Sequence, residues 1–161
     1  MTFASDLKIW ENAQLEFAKV LLGSDEKRIV SLEIAQWKFK DWDIKTNSIP
    51  NWEETYEIKF DTMAKDTGNF VIETRCSWIA SGIYRSKADY IVYNVKWERR
   101  IQERGELILR LINTEKRITK WGDWYRAEMY VIKCTELPNL FTKIETNGPR
   151  KEIGQNDGEA K

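Results

Sequence analysis

The stretch 56–73, YEIKFDTMAKDTGNFVIE, opens as a strand and breaks at Thr67-Gly68-Asn69. Alternate side chains of a strand share a face, so Glu57, Lys59 and Asp61 point one way while Tyr56, Ile58 and Phe60 point the other. An acid and a base are thus aimed to one side of a strand whose other side is apolar. Upstream, Asp41, Asp43 and Lys45 repeat the device. If the two strands form a hairpin across the loop at Pro50, the charged rows converge. Thr67-Gly68-Asn69 reads as the hairpin turn that sends the second strand into its neighbour, where Gly or Asn adopts positive φ. A phosphate contact from that turn, Asn69 included, is the sharper alternative.

Outward from this centre, residues 5–22 carry apolar side chains at helical spacing between a Ser5 cap and Gly23, which predicts an amphipathic helix. The segments 28–39, 41–47, 54–64 and 68–79 alternate in polarity between turn signals and read as consecutive antiparallel strands. A β-branched and aromatic strand is expected over 88–97, a helix over 103–116, a strand over 127–134 and a short closing helix over 135–145, with Thr135 as its cap. The expectation is one α/β (α+β) domain over residues 1–145, with a central mixed sheet of about five strands flanked by helices. Residues 146–161 are polar and rich in turn formers, a frayed tail.

Composition bounds the chemistry. The chain has 161 residues, no histidine, two cysteines and 26 basic against 26 acidic side chains. Without histidine there is no Ser-His-Asp or Cys-His system and no histidine-ligated metal. Cys76 and Cys134 sit far apart in apolar stretches and read as buried thiols. Eight tryptophans read first as core or partly buried anchors. No apolar run approaches the roughly 20 residues of a membrane span. The opening segment lacks a secretion-signal pattern, so a cytoplasmic location is expected.

Two readings of the charged rows stand at this point. Cross-strand acid and base pairs on a solvated face contribute a few tenths of a kcal/mol and need no further purpose. Alternatively, two carboxylates offer hard oxygen ligands for Mg²⁺, and a lysine beside them supplies a point charge for an attacking water or a phosphate under substitution.

A helix glutamate (Glu16 in QLEFAKVLL), a strand opening with aspartate (WDIKT) and an E-x-K strand (YEIKF) together resemble the PD-(D/E)XK nuclease superfamily, with its restriction-endonuclease-like fold. EIKFDTMAKDTGNFVIE followed by SGIYRSKADYIVY is similar to a subgroup of small nuclease-like proteins, many from bacteriophages. The resemblance covers residues 5–135 and is specific over 43–93. It implies a metal-dependent endodeoxyribonuclease using Mg²⁺, with Mn²⁺ as substitute, and no organic cofactor. Asp43 and Glu57 would be metal ligands with the Ile58 carbonyl, Lys59 the catalytic lysine, and Glu16 an assisting carboxylate. Trp42 stands where the family name has proline, and Asp41 competes with Asp43. Glu73 is left between a supporting and an edge-strand role. DNA is the implied partner, a homodimer the implied assembly, and a host cytoplasm the implied location if phage-encoded. Lys87 reads as a phosphate contact or a solvated lysine. Arg99, Arg100, Lys120 and Arg126, interleaved with Trp97, Trp121 and Trp124, read either as a phosphate-binding and base-stacking groove or as a salt-bridged surface. A nucleic-acid-binding or interaction module without catalysis is the alternative function.

Overall fold

In the computed structural model, which describes residues 3–24, 28–36, 41–50, 52–95, 98–114, 116–121 and 125–144, helix α1 runs from Phe3 to Leu22. It therefore starts before Ser5, which lies inside the first turn. The helix stops where Gly23 N–H donates to the Lys19 carbonyl at 3.0 Å. Ala13, Phe17 and Ala18 form its buried stripe.

Strands β1 (Arg28–Ile34), β2 (Ile44–Ile49) and β3 (Trp52–Phe60) form the expected antiparallel meander. A cis Ile49-Pro50 bond lies in the β2–β3 turn. The next step departs from expectation. Thr67-Gly68-Asn69 is no hairpin turn between paired strands. Ala64–Thr67 make one helical turn, α2, which Gly68 closes at φ 67, and β4 (Asn69–Cys76) leaves for a second sheet. The left-handed residue anticipated from sequence is present, but it ends a helix. Beside β3 lies β6 (Tyr90–Val95), in parallel register, so the strands are not all antiparallel.

Between them come β5 (Ile79–Ala80) and α3 (Gly82–Arg85). Strand β7 (Glu98–Glu103) follows, and the expected second helix is the shorter α4 (Arg104–Leu111), which loses most at its C-terminal end, where the chain turns toward a strand that begins at Lys116. Next are β8 (Lys116–Trp121), β9 (Tyr125–Lys133), a 3-10 turn at Cys134–Glu136 that contains Thr135, α5 (Leu137–Leu140) and β10 (Thr142–Lys143). The closing helix is thus a single turn followed by a strand. Among the described residues the sheets are ordered β1-β2-β3-β6-β7-β10, which is mixed, and β5-β4-β9-β8. The polar tail 146–161 lies outside the described residues.

The larger sheet is the middle layer. On one face Ile44, Tyr56, Ile58 and Val92 pack against Ala13, Phe17 and Ala18 of α1, with Phe17 edge-on to Tyr56 at 5.3 Å between ring centroids. On the other, Ile91, Tyr93 and Val95 meet Phe70 and Ile72 of β4 and Tyr130 and Ile132 of β9. Strand β6 is buried on both sides, which is why YIVYNV reads as a nearly unbroken apolar run. Burying each such side chain contributes about 1.5–3 kcal/mol.

Cys76 and Cys134 are both half-buried free thiols, and that of Cys134 donates to the Ala64 carbonyl at 3.7 Å. Trp10 and Trp42 are half-buried, but Trp52 and Trp78 are 65% and 69% exposed and anchor no core. The side chains of Trp37, Trp97, Trp121 and Trp124 lie outside the described residues. Among the described residues no helix is long and apolar enough to cross a membrane.

Candidate active site

The register decides which carboxylate meets Glu57. Ile44 pairs with Tyr56, so Asp43 stands at the mouth of β2, level with Glu57. Its own N–H donates to the Tyr56 carbonyl at 2.8 Å. The Asp43 carboxylate turns into the gap where β2 ends and accepts the Ile58 N–H at 2.6 Å. The N–H and C=O of one strand residue point to the same side, so the Ile58 carbonyl faces this gap too. Asp43 is 7% exposed.

Burial foremost, and then the Glu57 charge, push the Asp43 carboxyl up to about 7; the Ile58 N–H, Lys59 and Gln14 pull the other way. The two carboxylates are therefore close enough to repel. Lys59 lies against Glu57 as an ion pair, and Ser86 donates to the other Glu57 oxygen at 3.3 Å. Burial works against the Lys59 ammonium, but Glu57, Asp43 and Glu73 together hold its pKa above the ordinary lysine value. Three carboxylates thus act on one lysine. Glu73, on β4, in turn accepts the Ser81 hydroxyl.

The helix residue at this site is Gln14. Its side-chain amide lies near enough to Asp43 to favour the carboxylate, but not in hydrogen-bonding geometry, so the buried Nε2 completes no hydrogen bond among the described residues. The loose end of a buried amide costs about 1–3 kcal/mol when unmet. Glu16 points elsewhere: it pairs with Lys19 at 2.7 Å in solvent, its side chain 59% exposed. Two positions separate them, which on a helix is about 200°, so only one can face the sheet.

Asp41 does not compete for this gap, because it pairs with Lys87 at 3.0 Å. That pairing also occupies the Lys87 ammonium, although the side chain is 72% exposed. Lys45 pairs with Glu53 at 2.7 Å. Asp61 has a structural task. It accepts the Met63 and Ala64 N–H groups at 2.9 Å each and holds the start of α2.

Compared with protein-family models, curated proteins and solved structures, the chain matches none.

The remaining expected residues scatter. Asn69 donates to the Thr67 carbonyl at 2.9 Å and serves the α2–β4 turn. Arg99 faces α1: it bonds Asn94 at 2.7 Å and the Glu16 carbonyl at 3.3 Å, and lies 5.7 Å from the Phe17 ring centre. Arg100 grips Glu98 twice, at 2.7 and 3.1 Å, and the Phe141 carbonyl at 3.2 Å, with only 11% of its side chain exposed. Both arginines, half-buried, are engaged by groups of the fold. Arg126 is exposed, and the Lys120 side chain lies outside the described residues.

Sequence reasoning gave no role to Gln14, Ser81 or Ser86. For Gln14 there was a signal, a polar residue at an apolar helical position; for the serines it was that the resemblance sets residues 81–87 beside the cleft.

Behind the cluster a cleft of about 710 Å³ separates the two sheets. Lys59, Ile91 and Tyr93 line one wall, with Ile72, Glu73 and Met129 opposite. Among the described residues no three His, Cys, Asp or Glu side chains gather closely enough to cage a metal ion. Mg²⁺ asks for less: one or two carboxylates, with water and substrate oxygens completing its octahedron. Asp43 and Glu57, with the Ile58 carbonyl facing the same gap, fit that requirement.

Proposed function

We propose that the chain is a metal-dependent endodeoxyribonuclease of the PD-(D/E)XK kind. The observation that carries this reading is the surplus of carboxylate charge around Lys59 at the end of β2, where a buried aspartate and Glu57 repel each other. Such an arrangement costs stability in the isolated fold and is relieved by a cation. A mixed central sheet with α1 across one face agrees with the restriction-endonuclease-like architecture.

When bound, Mg²⁺ would polarise the scissile phosphate and acidify an attacking water. Asp43 and Glu57 would hold it. Lys59, kept protonated by its carboxylate neighbours, offers a fixed positive charge where negative charge grows on the phosphate. Ser86 orients Glu57, and Gln14 offers its unmet amide to the aspartate or to a water beside it. Glu16 is replaced in this scheme by Gln14.

A second reading, a DNA-binding module without catalysis, draws on the Lys59–Glu57 ion pair, which occupies both groups. Cleavage of labelled single-stranded, duplex, flap and four-way-junction DNAs with Mg²⁺ or Mn²⁺ separates the two. Cutting by the wild type that vanishes in Lys59→Ala supports the nuclease; binding without cutting by the wild type supports the module.

A further inference from the structure

The β4–β5 hairpin holds a feature the nuclease reading leaves unused. Cys76 pairs with Ile79, so Ser77 and Trp78 alone make the turn, with φ of 49 and 70. Two-residue hairpins of this hand need positive φ at both central positions, which is why Asn-Gly is the usual occupant. A tryptophan there is a conformational outlier. Packing does not compensate it: Trp78 is 69% and Ile79 70% exposed. Strained, outward-facing residues of this kind cluster at functional sites.

The base of the same hairpin is pinned to the candidate active site. The Ser81 hydroxyl donates to Glu73, and Ser81 N–H to the Thr74 carbonyl at 2.9 Å. Gly82, at φ 49, lies so close to the Glu73 carbonyl that an added Cβ would sit 2.1 Å from its oxygen. From Glu73 to Cys76 the strand rises about 10 Å, or roughly three stacked nucleotides at about 3.4 Å each. The turn is also flanked by positive charge. Ser77 N–H donates to the carbonyl of exposed Arg126 at 2.8 Å. Arg75, also exposed, stands across from Glu128, whose carboxylate takes the Thr74 hydroxyl at 3.3 Å.

We infer that Trp78 and Ile79 form a stacking platform for an unpaired base of a nucleic-acid strand, with Arg126 taking the adjacent backbone phosphate. An aromatic face beside a cation suits a strand whose bases are exposed and offers little to a closed duplex. The inference rests on the nuclease reading and narrows its substrate to DNA with unpaired nucleotides a few positions from the cut.

The test uses the full chain, without divalent metal, and DNAs carrying 2-aminopurine either in an unpaired arm or within a duplex. Wild type should change the fluorescence of the unpaired probe and bind that DNA more tightly. Trp78→Ala should lose roughly tenfold to a hundredfold in affinity for the unpaired-arm DNA, with duplex binding little changed. Trp78→Phe should restore most of it. Trp78→Gly, which suits the positive φ, should fold at least as stably as wild type yet bind as poorly as Trp78→Ala. Unchanged affinity in Trp78→Ala, with cleavage still dependent on Lys59, overturns the platform and leaves the nuclease standing. An altered oligomeric state with unchanged DNA affinity also overturns it, in favour of a contact between copies. No binding or cutting of any DNA by the wild type removes the nuclease reading and the platform with it.

Discussion

Two charged regions of this molecule look alike in sequence and differ in their accounting of charge. On β7, Arg100 is matched by Glu98 and a carbonyl, and Arg99 by Asn94, a carbonyl and a ring. Every cation there has a partner inside the fold. At the end of β2 and β3, Asp43, Glu57 and Glu73 all act on Lys59, and the buried Gln14 amide beside them has no partner among the described residues. The first region is complete as it stands. The second carries unbalanced negative charge in a partly desolvated gap, an arrangement that folding alone does not favour.

The sharpest way to break this contrast is to disable each side in turn. Lys59→Ala should reduce metal-dependent DNA cleavage by about 10²–10³-fold or more in a single-turnover assay, since one preorganised charge at the reacting phosphate is worth that much. Circular dichroism should show the fold retained. Arg100→Ala should do the opposite. It leaves Glu98 poorly solvated and unpaired, costs about 3 kcal/mol in denaturant unfolding, and leaves the cleavage rate of the folded fraction near wild type.

Asp43→Asn tests the imbalance itself. The carboxyl titrates near 3.8 unfolded and at about 7 folded, so the native state holds the extra proton between those values. Wild-type stability should therefore fall as pH rises from about 4 to about 7 and level off above. The amide has no such slope. Asp43→Asn should be more stable than wild type at pH 8, by up to a few kcal/mol, and should lose that advantage at pH 4, as read from melting temperatures. The smallest effect belongs to Glu16→Ala. Its exposed pair with Lys19 leaves both stability and cleavage unchanged within error.

The E-x-K strand and its neighbour were legible because period two and a turn at proline fix which side chains share a face. That an aspartate of the preceding strand comes near Glu57 follows from those two facts; that it is Asp43 and not Asp41 depended on the register of Ile44 with Tyr56. What was not legible depended on pairing at a distance. Nothing local in FVIETRC says that β4 deserts the first sheet for β9, nor in YIVYNV that its partner is β3 running parallel. The strand β7 was hidden because ERRIQE is charged at all but Ile101 and Gln102, its arginines being held by Glu98 of the same strand and by neutral groups from β6, α1 and the turn before β10. Glu16 came from the resemblance, whereas the helical phase of Ala13 and Phe17 favours Gln14.

The central claim, that the gap at the end of β2 seats a cation, is tested most directly by the melting temperature with and without Mg²⁺ or Mn²⁺ at pH 6 and pH 8. Wild type should be stabilised by the ion, more at pH 8, where Asp43 is ionised, than at pH 6, and the shift should vanish in Asp43→Asn and Glu57→Gln. An equal shift in wild type and both variants, or none in wild type at pH 8, would contradict the account.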